Sequence, residues 1–257
     1  MHNQSLSGKK GLVIGIANDH SIAWGCAKAF SGAGADLAIT YLNEKAEPYV
    51  RPLAEQVKAP IIEPLNVINE EQMDALFQKI TDEWGELDFI LHAIAFAPLE
   101  DLHGRIIDSS LEGFLSAMNI SCHSLARIVK RAEPLMKNGG SILTTSYYGS
   151  QKVVPNYNLM GPVKAALESM VKYMSAELGA QGIRVNTLSA GPIPTRAASG
   201  IKGFEELHER SYRKASLHEA VSIDDVGAYA RFLVSDEAKL ITGNTSYIDS
   251  GYHVLSG

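Results

Sequence analysis

Short, almost uninterrupted apolar runs alternate with amphipathic stretches along the chain, and this alternation constrains the fold more than any other feature of the sequence. Strands are predicted at 11–17, 36–41, 60–67, 87–95, 141–146, 183–189 and 244–248. Helices are predicted at 21–31, 44–57, 69–84, 110–136, 157–180 and 223–235. A strand apolar along its whole length is buried on both faces, so strands alternating with helices imply a parallel sheet covered on both sides. The expected fold is α/β: one Rossmann-like, doubly wound domain over residues 1–257, with about seven parallel strands and helices on both faces. Punctuation agrees with this reading. Ser21 is placed to cap the first helix, Asn69 and Gln72 are spaced like a capping box, and Gly85, Gly139 and Gly182 fall at helix ends. The one long irregular stretch, 191–218, exceeds an ordinary connection, and such loops are commonly lids or binding loops.

Composition narrows the partners. The formal net charge of −6 opposes nucleic acid or an anionic membrane as the main ligand. Cys26 and Cys122 belong to no CxxC or Cys/His cluster, so no metal is expected and two buried thiols in a reducing cytosol are. Residues 1–10 are polar, unlike a signal peptide, and no apolar run is long enough for a bilayer, so the expected location is cytoplasmic.

The first strand-to-helix turn contains Gly15, Ser21 and Ile22. In this fold the turn offers helix N-terminal N–H groups to a pyrophosphate. The usual GxGxxG is absent, and the same residues also suit a tight turn and a plain helix cap. The second strand runs into Leu42, Asn43 and Glu44. An acid there favours the ribose diol of NAD over the phosphate of NADP, although Glu44 also suits a helix first turn. The fifth strand leads into Tyr147, and Tyr157 and Lys164 follow seven residues apart, close to two helical turns. Hydride transfer to an electron-poor double bond leaves an enolate oxygen. A phenol can hydrogen-bond that oxygen while an ammonium raises the local potential and meets the cofactor ribose. Taken alone, Tyr157 and Lys164 also fit an amphipathic helix with a surface lysine. Tyr148 and Lys152 form a literal Tyr-x3-Lys pair, but Lys152 precedes Pro155 in a loop, and the helical spacing is lost.

The run YYGSQKVVPNYNLMGPVKAALE, with Tyr157-x6-Lys164 and Tyr147, resembles the short-chain dehydrogenase/reductase superfamily, and within it the bacterial enoyl-acyl-carrier-protein reductases. GIANDHSIAWG, LHAIAFAP and SAGPIPTRAASGIKGF are similar to the same family, and the likeness covers essentially the whole chain. The resemblance implies reduction of the trans-2 double bond of enoyl thioesters on acyl carrier protein in fatty-acid elongation. It implies NAD as cofactor, NADH preferred to NADPH, and a homotetramer. It makes Tyr157 the partner of the thioester carbonyl, Lys164 the ribose contact, and Tyr147 a pocket wall that assists protonation. Gly15, Ser21 and Ile22 would line the pyrophosphate, and Leu42, Asn66 and Val67 the adenosine. Ala93, Ile94 and Ala95 would face the cofactor, and Ile193, Pro194 and Thr195 the nicotinamide carboxamide and phosphate. Ala97, Met160 and Phe204 would border substrate, with core packing the rival reading for the last two. Residues 195–218 would form the lid. Leu42 and Asn66 depart from the family's glutamine and aspartate, and Ala93 and Ala95 from its serine and glycine, which bears on cofactor choice. Near the lid, Arg210, Arg213 and Lys214 suit an acidic carrier, whereas Glu205 and Glu206 oppose it; a solvated charged helix is the alternative. The rival functions are a short-chain carbonyl or alcohol dehydrogenase and a silent NAD-binding regulator.

Overall fold

A computed structural model describes residues 4–255. Seven strands, β1 (Lys10–Ile14), β2 (Asp36–Tyr41), β3 (Ile61–Pro64), β4 (Phe89–His92), β5 (Gly140–Ser146), β6 (Ile183–Ala190) and β7 (Thr245–Ile248), form one sheet in the order β3-β2-β1-β4-β5-β6-β7. Every pairing is parallel. The chain winds outward from β1 to β3 and then returns to place β4 on the other side of β1. Ligand crevices in such sheets open at this reversal, beyond the carboxyl ends of the strands.

Among the described residues nine α-helices connect the strands: α1 (Ile22–Gly32), α2 (Glu47–Gln56), α3 (Glu70–Glu83), α4 (Leu99–His103), α5 (Leu111–Met118), α6 (Ser124–Ala132), α7 (Met160–Leu178), α8 (Phe204–Lys214) and α9 (Ile223–Val234). Successive strand residues face opposite ways. Leu12, Ile90 and Ile142 therefore pack under α3, α6 and α7, where Leu76, Ile128 and Leu167 meet them. Val13, Leu91 and Leu143 pack under α1 and α9 with Trp24, Phe30 and Leu233. Two apolar layers on one sheet explain why the strands read as continuous apolar runs. Phe30 is fully buried and lies edge-on to Phe89 at 4.9 Å. Truncating such a ring costs about 3–5 kcal/mol.

Several boundaries differ from the sequence reading, each for a local reason. The predicted helix over 110–136 is broken by a π turn at Asn119–His123. There Ser121 Oγ accepts from Phe96 N and donates to Phe96 O, tying the extra residue to the loop after β4. The helical path ends in a 3-10 turn at Glu133–Leu135, where Pro134 lacks an N–H. The helix over 157–180 begins only at Met160, because Asn156 and Asn158 take positive φ of 64° and 34°. The helix over 44–57 begins at Glu47: Asn43 Oδ1 takes the N–H groups of Lys45 and Ala46, leaving Glu44 outside. Asn69 caps α3 by accepting from Gln72 N, but Gln72 Oε1 bonds Asn66 N, so only half of the capping box forms. The stretch 191–218 is not irregular throughout, since it contains α8. Cys26 and Cys122 are both free and buried. Among the described residues no helix is long and apolar enough to cross a membrane.

Candidate active site

The carboxyl end of β5 supplies the floor of the site. Tyr147 follows the strand directly, and its ring meets that of Tyr157 edge-on, centroids 5.0 Å apart at 74°. Burial pushes both phenols well above the ordinary tyrosine range, so both remain proton donors. The Tyr147 hydroxyl is buried and finds no hydrogen-bond partner among the described residues. Orphaned polar atoms of this kind are rare in folded interiors and mark places where a ligand atom belongs.

Tyr157 does not sit on α7, as the two-turn spacing had suggested. It lies in the turn before the helix, with Tyr157 N donating to Val154 O and its own carbonyl accepting from Met160 N. Lys164 sits just beyond the first turn of α7, 4% exposed. Its Nζ donates to Thr145 O at 2.8 Å, two residues before Tyr147. One of three N–H groups is thus spent, and two remain for a ligand. Burial lowers the Lys164 pKa to about 8, opposed by Cys122 and Glu168. His92, at the end of β4, is held between Thr144 Oγ1 (2.9 Å) and Ser124 Oγ (2.8 Å). Burial first and Lys164 second lower its pKa to about 3, which keeps it neutral.

The phosphate turn follows β1. Gly15 has φ 110°, and a Cβ there would lie 2.1 Å from Ala93 O, so only glycine lets β1 and the loop after β4 come this close. Ser21 stands at the N-cap of α1, as expected, but does not cap it with its side chain. Its hydroxyl instead accepts from Ala17 N and Asn18 N. The Ile22 and Ala23 N–H groups find no acceptor among the described residues. That cradle suits the pyrophosphate of a dinucleotide.

The other residues singled out in sequence also follow strand ends. Asn66 and Val67 come after β3, with Val67 buried and Asn66 Oδ1 accepting from Ile68 N. Ala93, Ile94, Ala95 and Ala97 run on from β4. Leu42 is 54% exposed beyond β2. Ile193 is buried, Pro194 exposed, and Thr195 Oγ1 accepts from Ala198 N, which leaves its proton free. Ile94, Ala97 and Tyr147 pack on the core cluster that holds Tyr157 and Met160. Met160 is largely core, and Phe204 is not brought beside it. Phe204 stacks on His208 at 6.0 Å and lines a cleft of about 740 Å³. That cleft lies between Asn18 and His20 of the phosphate turn and the segment carrying Thr195, Arg196 and Phe204.

Some residues of the site were not read from sequence. Asn18, His20 and Arg196 line the cleft; they lie inside the runs GIANDHSIAWG and SAGPIPTRAASGIKGF, but nothing in those runs singled them out. His103, on the short α4, bonds Gly200 O at 2.7 Å and holds the segment above the site. Glu168 is a charged residue that is only 4% exposed. Its signal was present, since it stands four residues after Lys164 and so on the same helical face.

A doubly wound sheet, an open helix N-terminus after β1, and a tyrosine and lysine beyond β5 together define a short-chain dehydrogenase/reductase. The family profile described as "Enoyl-(Acyl carrier protein) reductase" matches residues 15–253. An enoyl-[acyl-carrier-protein] reductase [NADH] of Rhizobium meliloti is 44% identical over 97% of this chain and 92% of its own length. One from Synechocystis is 46% identical over 97% and 98%. In structure, the enoyl reductase of Anaplasma phagocytophilum in complex with NAD superposes with a TM-score of 0.95 at 49% identity, covering 98% of this chain and 97% of that one. That of Bacillus cereus with NADP+ and an indole naphthyridinone matches at 0.95 and 43% identity, over 98% and 99%. The chain belongs to the enoyl-(acyl carrier protein) reductase family.

Proposed function

We propose that this protein reduces the trans-2 double bond of enoyl thioesters on acyl carrier protein, with NADH as reductant, in fatty-acid elongation. The observation that carries this reading is the Tyr147–Tyr157 ring pair at the carboxyl end of β5, two residues beyond the Thr145 carbonyl that holds Lys164. The bound nicotinamide supplies the hydride. The chain supplies orientation and charge. Lys164 offers its two remaining N–H groups to the ribose hydroxyls. The Ile22 amide and the Ser21 and Thr195 hydroxyls hold the pyrophosphate, with Gly15 giving it room. The Ile193 backbone suits the carboxamide, beside Pro194. Ala93, Ile94 and Ala95 back the nicotinamide side, while Asn66, Val67 and Leu42 border the adenosine.

Tyr157 donates to the thioester carbonyl and strengthens that bond as negative charge develops toward the enolate, which is differential binding of the transition state. A phenol raised by burial keeps its proton throughout. Tyr147 walls the pocket, and its unpartnered hydroxyl is available to the acyl group or to the final protonation. Ala97, Met160 and Phe204 border the acyl chain. Residues 195–218 act as a lid on one dinucleotide-binding domain, excluding water when closed. Leu42 and exposed Glu44 place no arginine where a 2′-phosphate would need one, which favours NADH. A homotetramer in the cytoplasm is part of the same reading. Exposed Ile107, Leu111 and Leu115 give α5 and the turn before it an apolar face suited to a second copy.

Loss of NADH absorbance with crotonyl thioesters, on carrier protein and on coenzyme A, tests the function. The expected order is carrier protein above coenzyme A and NADH above NADPH. No oxidation with either thioester would reject it.

A further inference from the structure

Among the ionisable groups in the interior of the site that the mechanism above does not use, one is a carboxyl held by several donors. Glu168 lies on α7, one turn beyond Lys164, and is 4% exposed. It forms no ion pair with an arginine or lysine within reach among the described residues. It is held by three side-chain donors: the Ser146 hydroxyl at 2.5 Å, the Ser150 hydroxyl at 2.5 Å and the Gln151 amide at 2.8 Å. The first two converge on Oε1 and the third on Oε2. A carboxylate buried without a direct counter-ion is costly, and several hydrogen-bond donors offset that cost. All three donors flank Tyr147: Ser146 precedes it, and Ser150 and Gln151 follow it.

Lys164 is anchored in the same way on the adjacent strand residue. Its ammonium donates to the carbonyl of Thr145, and the next residue, Ser146, donates to Glu168. The two opposite charges therefore lie on one face of one helix, pinned to consecutive residues of β5. Besides Glu168, the titratable groups that face Lys164 are Cys122 on the π turn and neutral His92 at the end of β4. Neither carries a permanent charge at neutral pH. Facing Glu168 are Tyr157 and, from β7, Tyr247, both neutral phenols.

We propose that Glu168 is a positioning residue that keeps Lys164 in its cationic, ribose-binding form while fixing the strand end that carries Tyr147. The proposal rests on the reading of Lys164 as the ribose contact. Without an anion one turn away, a buried ammonium loses its proton readily and can no longer donate three hydrogen bonds. The desolvation that lowers Lys164 to about 8 is opposed by Glu168, in agreement with this role. The carboxylate pays for its own burial with hydrogen bonds that also tie β5 and the 148–150 turn to α7.

The test is NADH affinity as a function of pH, measured by fluorescence titration of the full-length protein without thioester. The wild type is expected to lose affinity as pH rises through the Lys164 pKa. Glu168→Gln keeps the shape, and a flip of the Gln151 amide restores the hydrogen bonds, but the charge is gone. Removing an anion disfavours the protonated lysine, so the alkaline fall in affinity is expected about one to two pH units lower. Glu168→Asp keeps the charge while disturbing the same three hydrogen bonds. It is expected to lower the melting temperature and leave the pH of the fall in place. Lys164→Arg, whose guanidinium does not titrate in this range, is expected to abolish the fall in either background. A fall that stays put in Glu168→Gln, or that moves in Glu168→Asp, overturns the proposal even if Glu168→Gln does not fold. A wild type that binds NADH with no alkaline fall contradicts the Lys164 reading itself, which separates the two failures.

Discussion

The floor of the site and the segment above it are built on opposite principles. The floor, from the ends of β4 and β5 through α7, is largely buried, and short bonds tie Lys164 to Thr145, Glu168 to three donors and His92 to Thr144 and Ser124, leaving the Tyr147 hydroxyl open. The segment 192–208 is held chiefly by single side-chain bonds to its backbone carbonyls. His103 bonds Gly200 O, Asn156 Nδ2 bonds Lys202 O at 2.8 Å, and His208 Nδ1 bonds Pro192 O at 2.8 Å. The first two donors are on partly or fully exposed residues, where a hydrogen bond is worth about 0.5–1.5 kcal/mol. The groups proposed to act on substrate thus sit where geometry is fixed, and the groups proposed to admit substrate sit where the fold is cheap to open.

Substitutions in the two regions should therefore differ in kind. The largest effect short of the chemical step itself is expected from Lys164→Ala. Removing two donors and a buried cation should weaken NADH binding by about tenfold or more, since charged hydrogen bonds contribute about 1.5–3 kcal/mol. Calorimetric titration reads this directly, and an unchanged dissociation constant would place Lys164 outside the cofactor site. Next comes Gly15→Ala, where positive φ and the 2.1 Å approach to Ala93 O act together. A stability loss of about 2–4 kcal/mol is expected in denaturant melts, with NADH affinity falling in the protein that folds.

His92 sharpens the comparison through pH. Its folded pKa, about 3, lies below its unfolded value of about 6.5. The unfolded chain therefore binds the proton first. The stability this group contributes is present above pH ~6.5 and is lost as pH falls toward about 3, at roughly 1.4 kcal/mol per pH unit. His92→Asn should flatten that part of the acid profile, and an identical slope in the variant would show that other groups set it. The smallest effect belongs to the upper segment. His103→Ala with Asn156→Gly, which suits the positive φ at 156, removes two exposed bonds, and a rise of a few-fold in KM for the thioester is expected with kcat and melting temperature almost unchanged. A loss of kcat as large as that from a floor residue would erase the distinction between the regions.

The same contrast explains what could be read in the sequence. The seven strands were legible because a doubly buried strand writes itself as an apolar run. The phosphate turn, Tyr147 and Lys164 were legible because they follow strand ends or helix spacing. The start of α7 was not, although Pro155, Asn156 and Asn158 are turn residues, since the apolar pattern beyond them extends the helical period backward over Tyr157. The π turn was hidden because its cause, Ser121 reaching Phe96, is a contact between residues 25 apart. Spacing puts Glu168 on the Lys164 face of the helix, but nothing else in the sequence sets it apart from a solvated charge. Only the packing of the 148–151 turn over it buries the carboxylate and gives it three donors. Thr195 and Arg196 were visible as residues, but the cleft they line exists only once that segment is brought opposite Asn18 and His20.

The central claim is that a phenol in the floor, Tyr157, meets the thioester carbonyl and takes no part in holding the dinucleotide. Tyr157→Phe tests it by measuring enoyl thioester turnover and NADH affinity on the same preparation. Turnover is expected to fall by about 10²–10⁴-fold while the NADH dissociation constant stays within about twofold of wild type. Turnover equal to wild type, or NADH affinity lost in step with turnover, would contradict the claim.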